Sequence, residues 1–290
     1  MESLPILLDE TVSNRQVQIE SCPAPISLNV REHGRSKDAC ILLHGFGDGA
    51  YVWDSFAPSV AVKLRTIAID FRGHGDSSWD PLARYNVEQH VADVIQVINS
   101  LELERYAIVG HSLGGAVAIR LAARRFDAVK GVLVVDYGPD LNPEGTARVR
   151  RDFRESMRSW GTIAEYAEWL RERRPLADES ALSHLAGAVL RLQPGGGFRP
   201  KADPALDAGV DDIEAHSAEV WRMLRDIAMP VTVVRGIGSA VLPANVVTEM
   251  MRVLTNGRVV TVRNSGHAVM SDNPDEFSRV LHSFVSDVTQ

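Results

Sequence analysis

Cysteine is nearly absent: Cys22 and Cys40 are the two that occur in 290 residues, so no disulfide framework is expected. Cys40 lies in the apolar run 39–43, where it reads as a small buried hydrophobe. No apolar stretch approaches the roughly 20 residues that a membrane-spanning helix needs. Basic residues are outnumbered, and a net charge of −7 argues against nucleic acid or an anionic membrane surface as partner, because both are recruited through basic patches. Residues 1–10 include acidic side chains and only a short apolar stretch, unlike the basic start and long apolar core of a secretory signal. A cytoplasmic protein is expected, and the sequence assigns no oligomeric state. No His/Glu pair stands at metal-ligating spacing, which agrees with chemistry that needs neither a metal nor an organic cofactor. Internal repeats and low-complexity tracts are lacking as well.

What is present is an alternation of strand and helix patterns. Segments 16–20 and 26–31 alternate apolar and polar residues, as antiparallel edge strands with one solvated face do. Short apolar or β-branched runs at 39–43, 66–69, 106–109, 129–135, 231–234 and 258–262 fit strands buried on both faces. Helical patterns at 87–100, 116–125, 244–254 and 274–285 lie between and after them. The expected fold class is therefore α/β, with about eight strands in a mostly parallel sheet flanked by helices.

One long segment breaks the alternation. From 139 to 226 the chain shows helical patterns, notably 149–159 and 163–172, and no convincing strand. It reads as a helical cap inserted after the sixth strand, giving a core domain of 1–138 with 227–290 and a cap of 139–226. The cap holds Trp160, Trp169 and Trp221 and the loop Pro194-Gly195-Gly196-Gly197-Phe198. Its aromatic residues form either its own core or part of a ligand pocket.

The chemistry centres on Gly110-His111-Ser112-Leu113-Gly114, set between a strand pattern and an Ala-rich helix pattern. Glycines on both sides of the serine permit a tight strand-to-helix turn that leaves the hydroxyl exposed. Ser112 is the candidate nucleophile. A serine hydroxyl is weakly nucleophilic at neutral pH and needs a base, which in turn needs a third group to orient it. Among nine histidines, His267 in Asn264-Ser265-Gly266-His267 follows the last strand and so sits at the carboxyl edge of the sheet, where catalytic groups of such sheets collect. His33 falls in a polar loop, while His90, His184, His216 and His282 fall in helical patterns.

Four motifs together resemble the α/β-hydrolase superfamily over essentially the whole chain. They are His44-Gly45-Phe46-Gly47 with Trp53, Asp70-Phe71-Arg72-Gly73-His74-Gly75-Asp76-Ser77, the serine turn, and Gly266-His267. The resemblance implies the chain order Ser, acid, His, and it usually places the acid after the next-to-last strand. Here Ser239 stands at that place, in Arg235-Gly236-Ile237-Gly238-Ser239-Ala240-Val241-Leu242-Pro243. A serine brings no negative charge to hold an imidazolium. Asp136, ending the strand next after the elbow helix, is the substitute, as in some members of the superfamily; the stretch also resembles the amidohydrolases of pyridoxine degradation. Ser239 is accordingly expected to matter little to rate, and Asp70 and Arg72 to brace a turn.

The serine turn places one oxyanion donor at the backbone amide of Leu113, and the resemblance points to the amide of Phe46 as the second; His44, His111, Tyr137 and Trp160 are candidate pocket residues. Arg150, Arg154 and Arg191 are candidates to recognise a substrate carboxylate. The expected activity is that of a serine hydrolase cleaving an ester, lactone or amide bond of a small molecule through an acyl-enzyme. Carbon–carbon hydrolysis of a ring-fission diketone uses the same triad and stays open. So does a non-catalytic small-molecule receptor on the same fold.

Overall fold

A computed structural model of the chain describes residues 13–21, 23–124, 127–209 and 216–290. The N-terminal residues 1–10, Cys22 and Arg125 lie outside them.

Eight strands make one sheet: β1 (Ser13–Ile19), β2 (Ile26–His33), β3 (Ala39–Leu43), β4 (Arg65–Ile69), β5 (Tyr106–His111), β6 (Val129–Val135), β9 (Val231–Gly236) and β10 (Gly257–Val262). Their order is β1-β2-β4-β3-β5-β6-β9-β10. From β4 to β10 every pairing is parallel, and β1 and β2 add an antiparallel edge. β3 and β5, in the centre, are buried at every position, as continuous apolar runs require when helices cover both faces. β10 departs from the expectation of a doubly buried strand. Placed at the sheet's edge, it exposes Arg258, Val259 and Thr261 and fully buries Val262 alone.

Helices close both faces. On one side α2 (Val87–Ser100), α3 (Leu113–Arg124), α7 (Ser217–Asp226) and α8 (Ala244–Val253) bury Val91, Val94, Val117, Leu121, Leu224 and Met250 against the sheet. On the other, α1 (Ala57–Ala61), α9 (Val269–Asp272) and α10 (Pro274–Val288) pack Val60, Phe277, Leu281 and Phe284 with Trp53. This layered order, with a serine turn after the central β5, defines the α/β-hydrolase fold. Among the described residues, no helix is long and apolar enough to cross a membrane.

Between β6 and β9 the chain runs through α4 (Pro143–Ser156), α5 (Ile163–Arg173), α6 (Glu179–Val189) and α7. α4 begins earlier than the periodicity indicates, because Asn142 accepts from the amides of Glu144 and Gly145 and Pro143 fits the first turn. The segment is not free of strand. β7 (Leu190–Leu192) and β8 (Phe198–Pro200) form a hairpin whose turn passes through Gly196 at φ +86° and Gly197 at φ +74°. Three-residue strands are too short to show an alternating pattern, which is why the sequence conceals them.

Asp70 and Arg72 hold the loop after β4. Asp70 accepts from the Asn29 side chain at 2.8 Å and from the amides of Ala50 and Asp76 at 2.5 and 3.0 Å. Arg72 grips both oxygens of Asp93, each at 2.5 Å, and reaches Asp80 at 2.6 Å, with all three side chains fully buried.

Candidate active site

β5 ends at His111 and α3 begins at Leu113, so the turn consists of Ser112 alone, at φ +51°. A left-handed conformation in a residue with a Cβ costs on the order of 1–2 kcal/mol, held in place by the fold around it. The flanking glycines are obligatory. A Cβ on Gly110 would lie 2.1 Å from the Gly114 carbonyl oxygen, and one on Gly114 would lie 2.2 Å from the Leu43 oxygen. The amide of Gly114 instead donates to the carbonyl of His44 at 3.0 Å, locking the serine turn to the loop after β3.

The neighbouring strand repeats the device. Asp136, the residue after β6, sits at φ +50° and is fully buried. Its Oδ1 accepts from the Gly236 amide at 3.2 Å, and its Oδ2 accepts from His267 Nδ1 at 2.8 Å. That bond fixes the imidazole tautomer: Nδ1 carries the hydrogen, leaving Nε2 to accept from Ser112 Oγ at 3.1 Å. Ser112, His267 and Asp136 thus form one hydrogen-bonded chain, drawn from three separate strand ends.

Ser239, expected from the sequence to matter little to rate, contacts Asp136. Its hydroxyl donates to Asp136 Oδ2 at 2.5 Å and accepts from the amides of Val241 and Leu242 at 3.2 and 3.1 Å. The position where the acid usually stands is therefore in contact with Asp136.

The loop bearing His267 is held from two sides. The Gly266 amide donates to Asp272 Oδ2 at 2.7 Å, and His111 Nε2 donates to the His267 carbonyl at 2.9 Å. Burial, with the nearby His267, drives the His111 pKa well below 6.5, which keeps the ring neutral. A carbonyl can only accept, so the Nε2 nitrogen of His111 carries the hydrogen.

Ser112 and His267 face two adjoining chambers. The larger, about 290 Å³, is bounded by Phe46, His111, Trp169, Arg174 and Asp272 among others. The smaller, about 40 Å³, is bounded by Phe46, Leu113, Tyr137 and Leu141, with Thr146 and Arg150 on α4. Phe46 and Leu113 therefore lie beside Ser112, with His111 and Tyr137 on the walls. His44 and Trp160 are not among the lining residues. His44 is fully buried behind the loop, where its Nε2 accepts from the Phe71 amide at 3.0 Å, and burial lowers its pKa to about 4. Trp160 is 1% exposed in an apolar cluster with residues of α5 and α6, edge-on to Tyr166 and tilted against Trp169, and its backbone extends the β7–β8 hairpin through Phe198. The tryptophan that reaches the cavity is Trp169.

The arginines are also redistributed. Arg150 and Arg154 turn to Asp207, and Arg191 lies 3.7 Å from Asp76. Arg148, Arg173 and Arg174 line the larger chamber instead, interleaved with Asp48, Asp152 and Asp272. Arg174 lies 3.6 Å from Asp48; burial opposes its charge, but Asp48, Tyr166 and Asp272 outweigh burial and raise its pKa. Asp48 and Asp272 are both raised by burial, with Arg174 opposing. These residues converge from the β3 loop, α4, the end of α5 and α9. Among the described residues, no cluster of His, Cys, Asp and Glu could hold a metal ion.

Comparison with known proteins agrees with this architecture. The model of the Alpha/beta hydrolase family matches residues 40–280. The chain belongs to that family and is a hydrolase. It is 27% identical over 261 residues to 2-(acetamidomethylene)succinate hydrolase of Mesorhizobium japonicum, spanning 90% of this chain and 92% of the relative. An esterase of Mycobacterium tuberculosis is 29% identical over 247 residues, spanning 83% and 80%. The crystal structure of E-2-(acetamidomethylene)succinate hydrolase superposes with a TM-score of 0.84 at 25% identity, covering 95% of this chain and 100% of that one.

Proposed function

We propose that the chain is a serine hydrolase that cleaves an ester, lactone or amide bond of a small molecule through an acyl-enzyme. The observation that carries this reading is the unbroken relay from Ser112 Oγ through His267 to Asp136, at 3.1 and 2.8 Å. Ser112 attacks the substrate carbonyl as His267 Nε2 takes its proton, and the resulting imidazolium is held by the Asp136 carboxylate. The amides of Phe46 and Leu113 receive the oxyanion. His267 then passes the proton to the leaving oxygen or nitrogen as its bond to carbon breaks. Water, deprotonated by the same nitrogen, attacks the acyl-enzyme and releases the acid.

The named activities of the relatives support both an amide and an ester as the bond attacked. The insert, taken as a lid over residues 139–226 on a core of 1–138 and 227–290, supplies α4 and α5 as walls of the site.

Labelling with a fluorophosphonate tests the reading. The unmodified protein takes the label on Ser112, and Ser112→Ala abolishes labelling and lowers turnover by several powers of ten. A Ser112→Ala protein with full activity overturns it. A folded protein that never labels favours a receptor.

A further inference from the structure

We propose that the smaller chamber receives the acyl chain and limits it to about four carbons, while the larger chamber receives a bulkier, polar leaving group. The assignment rests on Ser112 being the nucleophile, and it narrows the substrate to a short-chain ester or amide of a large polar alcohol or amine.

The direction follows from proton delivery. A leaving heteroatom must face His267 Nε2, and the acyl chain takes the remaining direction from the carbonyl carbon. The flanks of His267 (Gly266 and Ala268) and Asp272 line the larger chamber alone. Leu113 and Tyr137, on the other side of Ser112, line the smaller one alone. Val149 on α4 and Val241 line both chambers.

Size and chemistry agree with that direction. A water-sized atom occupies roughly 10–15 Å³ of this kind of volume, so the smaller chamber accommodates about three heavy atoms beyond the carbonyl carbon. Its walls are firm: Leu113 is 3% and Tyr137 2% exposed, and both sit in the main core. Arg150, its charged member, is turned to Asp207, with bonds of 3.2 Å to the carboxylate and 3.0 Å to the carbonyl. The chamber is left apolar. The larger chamber presents Arg148, Arg173 and Arg174 with Asp48, Asp152 and Asp272 among apolar walls such as Phe153, Trp169 and Leu170, so it has both the room and the charged groups for a bulky leaving group that carries polar atoms.

The test is a series of 4-nitrophenyl esters from acetate to decanoate, alongside labelling of Ser112 by a methyl-chain fluorophosphonate. Acetate and butanoate are expected to have kcat/KM within a few-fold of each other, with a fall of about tenfold or more by hexanoate. Leu141→Ala, which deepens the smaller chamber, is expected to raise the hexanoate-to-acetate ratio, and Leu141→Phe to lower the butanoate-to-acetate ratio. Equal kcat/KM from acetate to decanoate in the unmodified protein overturns the proposal even if neither variant folds. Unchanged ratios in folded variants overturn it too, as does labelled Ser112 with no turnover of acetate; in these cases the nucleophile stands. Absence of label on Ser112 overturns the nucleophile, and the proposal with it.

Discussion

Ser239 Oγ donates to the same oxygen of Asp136 that accepts from His267 Nδ1, at 2.5 and 2.8 Å. The two donors fix the direction of that oxygen, and the amides of Val241 and Leu242 orient the Ser239 hydroxyl so that its hydrogen points at the carboxylate. Hydrogen bonds to charged groups contribute about 1.5–3 kcal/mol, although the Gly236 amide retains part of the hold on Asp136 when Ser239 is lost. Ser239→Ala is expected to lower kcat about tenfold with KM little changed, and Ser239→Thr to restore most of the rate. Steady-state kinetics of the two variants decide it, and equal rates for Ser239→Ala and the unmodified protein would refute the role.

His111 acts at the other end of the relay. Its donation to the His267 carbonyl holds the backbone that carries the imidazole. His111→Leu removes the donor within a similar volume, and kcat is expected to fall about tenfold, in keeping with loss of one buried hydrogen bond. His111→Gln keeps a donor and should retain more activity than Leu. The comparison is made on kcat at saturating substrate, and the reverse ranking would show that the hydrogen bond does not position His267.

Much of this site is legible in the sequence, because its parts are local. A serine between two glycines announces its own turn, and Gly266-His267 lies in the loop that follows β10. Asp136 is legible as the end of an apolar run. The link between Asp136 and Ser239 is not, since the residues are 103 positions apart and meet through the parallel register that sets Val135 beside Val234. Chamber walls are hidden for the same reason. Arg150 and Arg174 look alike in sequence, and only packing sends one to Asp207 and the other to Asp48. β10 reads as buried because Val259 and Val260 are apolar, whereas its edge place leaves Val259 43% exposed.

Acid sensitivity follows from four buried histidines. Burial depresses His44 to about 4 and His74, His90 and His111 well below 6.5. Unfolded, these rings bind protons below about pH 6.5; folded, they resist doing so. Their contribution to stability is present above pH 6.5 and is lost as pH falls, over the window from 6.5 to about 4 for His44. Each ring adds up to about 1.4 kcal/mol per pH unit to the slope. Asp70, raised by burial, works in the opposite sense in the range just above its ordinary value. Urea unfolding at pH 7.5, 6.5 and 5.5 should show stability dropping toward acid, and His90→Phe should make the drop shallower. An identical slope in the variant would exclude His90 as a contributor.

The Arg72 network is the most exposed to a single substitution. Its guanidinium and the carboxylates of Asp93 and Asp80 are all fully buried, so removing the cation strands the Asp93 carboxylate in the interior, while Asp80 keeps Arg84. Arg72→Met is expected to cost about 3–5 kcal/mol of stability. Replacing Asp93 as well, as in Arg72→Met/Asp93→Leu, should recover part of the loss, because one stranded charge is removed. Additive losses in the double variant, measured by urea unfolding, would show that charge pairing is not the cause.

Stability and catalysis oppose each other at Ser112. The residue holds φ at +51°, which disfavours any side chain with a Cβ, and nothing in the relay requires that the fold be more stable for it. Glycine adopts this conformation freely but loses more entropy on folding, by roughly 0.5–1 kcal/mol. The strain that glycine relieves, about 1–2 kcal/mol, outweighs that entropy. Ser112→Gly is therefore expected to unfold at a urea concentration equal to or above that of Ser112→Ala, by up to about 1.5 kcal/mol of stability, with both variants inactive. Ser112→Ala proving the more stable of the two would mean that the turn carries no strain.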